Sequence, residues 1–269
     1  MERYVIRGGT AGYQRLQMLA RRHRPGTLEV LRLAGIRPGM RCLDLGCGSG
    51  DVTFALARLA GPDGSATGLD MDPVKVGLAT DEAAARGLAN VTFREASIRD
   101  WHEPAAYDLV FSRFLLQHLA EPVAVLTQMW EAVRPGGVLI AMDADLAGHF
   151  CDPPNEGFRF YVEKYQQALR HNGGDPDMAR KLYRCFLAAG LPDPQMRMTQ
   201  TIDTDPGGDT KLVALSTLEA TMESITSAGL ATTAEAEAAH ADMAALIAEP
   251  HSLVGDPRIF SVWAHRPAA

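Results

Sequence analysis

Lysine is nearly missing from this 269-residue chain, contributing only four of its 26 basic residues. That bias reads as the mark of a GC-rich bacterial genome, not as chemistry. Acidic residues outnumber basic ones by 33 to 26, and a net charge of −7 argues against a nucleic-acid partner held by phosphate attraction. Cysteine is also sparse: Cys42, Cys47, Cys151 and Cys185 include no C-x-x-C pair. Neither a zinc site nor a disulfide framework is indicated, and the thiols are expected to be reduced. No apolar run approaches the roughly 20 residues of a membrane span. Met1-Glu2-Arg3 is followed by polar and glycine residues, not by an apolar leader. The expectation is a cytoplasmic protein with no membrane insertion, monomeric or homodimeric.

What is present begins with ordinary globular proportions, 46% hydrophobic and 22% charged. From about residue 40, short apolar strands alternate with amphipathic helices, as in an α/β parallel sheet. Strands are expected at 41–45, 65–69, 91–94, 107–111 and 138–142. Helices are expected at 52–60, 73–86 and 122–133, with Asp72 capping the second and Pro73 in its first turn. Asp108 is the only polar residue of the fourth strand, whose composition suits burial on both faces. Arg134-Pro135-Gly136-Gly137 reads as a break before the fifth. Upstream, 13–24 has helical spacing with Leu16, Leu19 and Ala20 on one face, and Pro25-Gly26 divides it from a second helix ending at Ala34. Downstream, helices are expected at 158–169, 177–189, 210–227 and 233–248, and strands at 195–202 and 258–264. The division implied is a helical lid (1–34), a ligand-binding core (35–145), and a region completing the sheet with helical cover over the substrate (146–269).

The chemistry concentrates in Asp44-Leu45-Gly46-Cys47-Gly48-Ser49-Gly50, where a strand turns into a helix. A dinucleotide loop runs G-x-G-x-x-G, its last glycine set into the helix for close packing. Here the spacing is G-x-G-x-G and Asp51 stands where that last glycine would be. Two carboxylates beside the loop suit a ligand with an ammonium group better than a pyrophosphate. Asp70, closing the second strand, can accept both hydroxyls of a ribose. Glycines let backbone approach the ligand, and the helix start near Asp51 offers free N–H groups to an anion.

Four motifs occur in order: 44–50, Gly68-Leu69-Asp70, Tyr107-Asp108-Leu109-Val110 and Arg134-Pro135-Gly136-Gly137-Val138. Together they resemble the class I S-adenosylmethionine-dependent methyltransferases, close to their small-molecule and quinone-type branch, over residues 38–145. The resemblance implies a Rossmann-like, doubly wound sheet, mostly parallel with an antiparallel last strand, covered by N- and C-terminal helices. It implies S-adenosylmethionine as donor and S-adenosylhomocysteine as product. On it, Asp44 orients the donor's ammonium, with Gly46, Cys47, Gly48, Ser49 and Gly50 as the loop. Asp70 holds the ribose and Met71 packs on the adenine. Ser97, where the family often has Asp, and Ile98 meet the adenine edge, while Ser112, Arg113 and Gln117 lie near the methionine moiety.

Methyl transfer from a sulfonium is an in-line displacement, so alignment is the protein's main task, worth ~7–11 kcal/mol. A base is needed only if the acceptor loses a proton. His118 is the leading candidate, then His149; His171, Asp143 and Asp145 are weaker. No metal is expected, because Ser112 and Asp143-Ala144-Asp145 do not complete the carboxylate set of metal-assisted relatives. The N/D-P-P-aromatic motif of nucleic-acid amino-methylating enzymes is absent after the fourth strand, which reads Ser112-Arg113-Phe114. A small organic acceptor remains, methylated on oxygen, nitrogen or carbon, with 146–190 and 205–250 as pocket cover. Phe150, Phe158, Phe160, Tyr161, Tyr165 and Met222 could line it, and Tyr4 and Tyr13 read as packing or lid residues. The competing reading is a protein of this fold that binds the sulfonium without transferring methyl, as a cyclisation catalyst or sensor.

Overall fold

The computed structural model describes residues 9–268, so Tyr4 lies outside the described residues. Helix α1 (Gly9–Leu33) leads into β1 (Arg41–Leu45), α2 (Asp51–Ala60), β2 (Ser65–Asp70), α3 (Pro73–Ala85) and β3 (Val91–Glu95). Then come β4 (Tyr107–Arg113), α4 (Pro122–Ala132) and β5 (Val133–Asp145), followed by β6 (Phe150–Asp152), α5 (Glu156–His171) and α6 (Met178–Ala188). The chain closes with β7 (Gln195–Thr199), β8 (Ile202–Asp203), α7 (Asp209–Ser227), α8 (Thr233–Ala248), β9 (Leu253–Gly255) and β10 (Arg258–His265).

Seven strands form one sheet in the order β3-β2-β1-β4-β5-β10-β7. The pairs from β3 to β5 are parallel, and β10 runs antiparallel to both β5 and β7. The order reverses direction between β1 and β4, so the carboxyl ends of these two strands flank the crevice in which open α/β sheets bind ligands. Strand β4 is buried on both faces, and its one carboxylate is accounted for. Asp108 Oδ2 accepts the Arg41 backbone N–H at 2.8 Å while Oδ1 pairs with Arg134. One core cluster joins β1, β4 and β5 to α1, α2, α5, α7 and α8; the other packs α4 and α6 on the opposite face.

Local expectations and structure agree where a side chain supplies the signal. Asp72 caps α3, its Oδ1 accepting N–H groups of Val74 and Lys75, with Pro73 at the first helical position. Three expectations need correction. First, α1 does not break at Pro25 but runs through it. A mid-helix proline costs about 3 kcal/mol, and contacts on both sides of it offset this. Tyr13 Oη donates to Glu82 of α3 at 2.5 Å, Arg22 pairs with Asp256 at 2.7 Å, and Val30 and Leu31 are buried in the core. Second, Arg134-Pro135-Gly136-Gly137 lies inside β5, whose ladder begins at Tyr107↔Val133 and resumes at Leu109↔Val138 after an irregularity. Third, the strand expected at 195–202 ends at Thr199, and Ile202–Asp203 joins a separate sheet of order β6-β9-β8.

Candidate functional site

The loop after β1 is fixed by backbone bonds to β2. Gly46 and Cys47 N–H groups both donate to the Leu69 carbonyl, at 2.8 and 2.9 Å. Gly48 N–H donates to Asp70 Oδ2 at 2.8 Å, and Asp70 Oδ1 accepts the Asp72 N–H at 3.0 Å. Each Asp70 oxygen therefore has one protein donor and a remaining lone pair. Gly48 has φ +53°, and a Cβ there would stand 3.0 Å from Leu16 Cδ1 of α1. The first helix thus roofs the loop directly.

Beneath that roof lies a cavity of about 750 Å³ that joins the carboxyl ends of β1, β2 and β4 to α5 and α7. Its loop end is lined by Asp44, Gly46, Cys47, Gly48, Ser49 and Asp70, with Met71, Ser97 and Ile98 alongside. Met71 is largely exposed, leaving its side chain available as a platform. Ser97 Oγ accepts the Arg99 N–H at 3.2 Å. Arg113, Gln117, His118 and His149 also reach the wall. Sequence reasoning therefore collected residues that the fold brings to one cavity.

Two of the expected contact residues do not reach it. Ser112 is fully buried in the centre of the sheet, paired with Leu45 on one side and Ala141 on the other. Gly50 supports the loop from below: its φ is +78°, and a Cβ would stand 2.5 Å from the Phe93 ring. Of the expected aromatic lining only Tyr161 and Tyr165 face the cavity. Phe158 belongs to the helical core, Phe160 and Met222 pack against it, and Phe150 is exposed at the small sheet.

The candidate bases are sorted by burial and partners. Asp143 is fully buried below the wall, its Oδ1 accepting the Gln117 N–H, and burial pushes its carboxyl well up. Asp145 is tied up by Arg258 at 2.7 Å and Arg180 at 3.1 Å. His171 sits in the last turn of α5, away from the cavity lining. His118 is held down to about 3 by burial and by the cations of Arg15 and Lys75. His149 is held down to about 4, chiefly by burial. Its Nδ1 lies 2.8 Å from the Leu146 carbonyl, which fixes the proton there and leaves Nε2 as an acceptor toward Tyr161 Oη, 3.4 Å away.

Charge at the loop end is strongly conditioned. Asp44 is 2% exposed, accepts a hydrogen bond from Thr53 Oγ1 at 2.7 Å, and is pushed up to about 7 by burial, with nearby Asp51 adding to the effect. Arg113 forks onto both oxygens of Asp51 at 2.8 and 3.0 Å, which orients the carboxylate at the start of α2. Cys47 is buried beside Asp44 and Asp70, so its thiol is pushed well up and stays protonated.

Several wall residues escaped the sequence reading. Arg15, Leu19 and His23 recur every four residues along α1 and share its cavity face. Two polar residues interrupting an apolar helical stripe were the available signal. Thr217 and Asp256 lie after the fifth strand, where no motif marks position. Among the described residues, no group of three His, Cys, Asp or Glu side chains is gathered as a metal site would require.

A family model described as a methyltransferase domain matches residues 36–186. Demethylmenaquinone methyltransferase of Geobacillus stearothermophilus is 30% identical over 218 residues, covering 72% of this chain and 89% of that protein. The enzyme of the same name from Bacillus cytotoxicus is 30% identical over 139 residues. That match spans 51% of this chain and only 56% of the relative. Among solved structures, Haemonchus contortus phosphoethanolamine N-methyltransferase 2 in complex with S-adenosyl-L-methionine shares the fold. Its TM-score is 0.55 at 18% identity, over 90% of this chain and 52% of that one.

Proposed function

This chain belongs to the methyltransferase-domain family, and we propose that it transfers a methyl group from S-adenosylmethionine to a small ring-type acceptor of the quinol kind. The observation that carries this reading is the single cavity, which joins a carboxylate-flanked glycine loop to a chamber walled by Tyr161 and Tyr165. The donor fits the residues present. Asp70 keeps a free lone pair on each oxygen for two ribose hydroxyls, and Asp44 is a buried carboxylate suited to an ammonium. Met71 covers the adenine face, Ser97 and Ile98 border its edge, and Arg113 and Gln117 enclose the methionine end. Bound S-adenosylmethionine supplies the activated methyl carbon.

The chain's own part is alignment and water exclusion. The roof of α1 over Gly48 and the helical wall behind Tyr161 close the chamber on two sides. His149, with its proton fixed on Nδ1, presents Nε2 to Tyr161 Oη, so the pair can take a proton from an acceptor hydroxyl at the Tyr161 oxygen. A quinol acceptor accords with the name shared by the two relatives and with the aromatic wall.

The test is product analysis. Incubation with S-adenosylmethionine and reduced 1,4-naphthoquinone should yield S-adenosylhomocysteine and a naphthoquinol heavier by one methylene. Donor that binds but is consumed no faster than without naphthoquinol overturns the quinol reading. Failure of the donor to bind at all overturns the methyl-transfer reading.

A further inference from the structure

Among the described residues, the cavity wall holds a buried cation with no carboxylate partner. Arg15 lines the cavity and is only 7% exposed. Its one hydrogen bond is from Nη1 to Thr217 Oγ1, at a long 3.4 Å, and its buried Nε has no partner. The other arginines near it are spoken for: Arg113 is forked onto Asp51, and Arg22 is paired with Asp256. A buried guanidinium without a counter-charge is costly, and its fork geometry matches a carboxylate through two parallel hydrogen bonds.

The surroundings indicate which ligand would complete the pair. Thr217 belongs to α7, and the charge of Arg15 also acts on Tyr161 of α5. Tyr161 and Tyr165 are stacked beside it, with ring planes 10° apart and centroids separated by 6.1 Å. Both helices lie after the motif-bearing part of the chain and contribute Tyr161, Tyr165 and Thr217 to the cavity wall. Arg15 therefore brings a buried positive charge to a wall that also carries the stacked rings of Tyr161 and Tyr165.

We propose that Arg15, seconded by Thr217, binds a carboxylate carried by the acceptor, so that the acceptor is an aromatic or quinol-type ring acid. This rests on the methyl-transfer reading and narrows its substrate class. Arg15 is here a binding and specificity residue for the acceptor, not a ligand of the donor.

The test uses the full chain saturated with S-adenosylhomocysteine, titrated calorimetrically with 2-naphthoate and with its uncharged match, 2-naphthamide. The wild-type protein should bind naphthoate at least tenfold more tightly than naphthamide. Arg15→Gln should remove that difference, Arg15→Lys should retain part of it, and both should leave S-adenosylhomocysteine affinity within twofold of wild type. Thr217→Val should weaken naphthoate about threefold and naphthamide not at all. Equal wild-type affinities for the two probes overturn the proposal without any variant having to fold. So does an Arg15→Gln protein that loses S-adenosylhomocysteine and not naphthoate, because the guanidinium then serves the donor's carboxylate. Absence of S-adenosylhomocysteine binding to wild type is a separate result, counting against the methyl-transfer reading on which the proposal stands.

Discussion

Asp44 is where a single residue carries the most testable physics. Burial lifts its carboxyl to about 7 from the usual 3.8. The folded protein therefore holds a proton there between about pH 4 and pH 7 that the unfolded chain has released. Asp44 accordingly favours folding at the acidic end of that window and ceases to do so as pH rises through about 7. A ligand ammonium reverses the preference by favouring the ionised form, against Asp51 and with Arg113 close by. S-adenosylhomocysteine affinity should thus fall by up to tenfold per pH unit below about 7, with proton release on binding at pH 6 measurable in buffers of different ionisation enthalpy. Asp44→Asn should flatten that slope; an unchanged slope would assign it to another group. Asp70→Ala removes the carboxylate beside Met71 and should weaken the same ligand at least tenfold in calorimetry, whereas unchanged affinity would remove Asp70 from the ribose site.

The two histidines make a second residue-scale distinction. Both are held well below the usual range, so neither should give a limb between pH 5 and 8 in a rate profile. Replacing His149 by alanine should lower kcat by about 10²-fold, the lower end for losing a general base, with S-adenosylhomocysteine affinity unchanged. A smaller loss than tenfold would dissociate His149 from proton removal. At this scale most residues of the glycine loop could be read from the sequence as cavity lining, as could Asp70. Arg15 and Tyr161 were not readable as neighbours, because their proximity depends on how α1, α5 and α7 pack.

The elements answer to the same division. Strand–loop–helix alternation from residue 41 to 145 follows from apolar runs, a capping aspartate and a proline at a helix start, all local signals. Continuation of α1 through Pro25 and the sheet of three short strands were hidden, since the first depends on tertiary contacts and strands of two or three residues show no period. Gly50 illustrates a local signal with a misleading role. It belongs to the glycine loop by sequence but serves packing, with a left-handed backbone and Phe93 against its α-carbon. Gly50→Ala should destabilise the fold by about 2–5 kcal/mol, from left-handed strain of roughly 1–2 plus overpacking of about 1–3. Denaturant unfolding checks this. Adding Phe93→Ala should not restore stability, because the backbone term stays and a cavity is left behind.

At the scale of the whole molecule, the sheet supplies a rigid floor and the helices from both ends of the chain supply the walls. Leu16 over Gly48, Tyr13 on Glu82 and Arg15 at Thr217 tie α1 to the loop, to α3 and to α7. We infer that donor binding stabilises this roof. Hydrogen exchange of peptides covering residues 12–24 should slow at least tenfold with S-adenosylhomocysteine, while β4 and β5 stay unchanged. Equal slowing throughout would indicate global stabilisation and no special role for α1. The most direct test of the account is a crystal structure with S-adenosylhomocysteine bound. It should show the ribose hydroxyls on Asp70, the α-ammonium toward Asp44, and the thioether sulfur facing the Tyr161–His149 side of the chamber. A ligand whose ribose lies away from Asp70, or whose sulfur faces away from Tyr161, would contradict it.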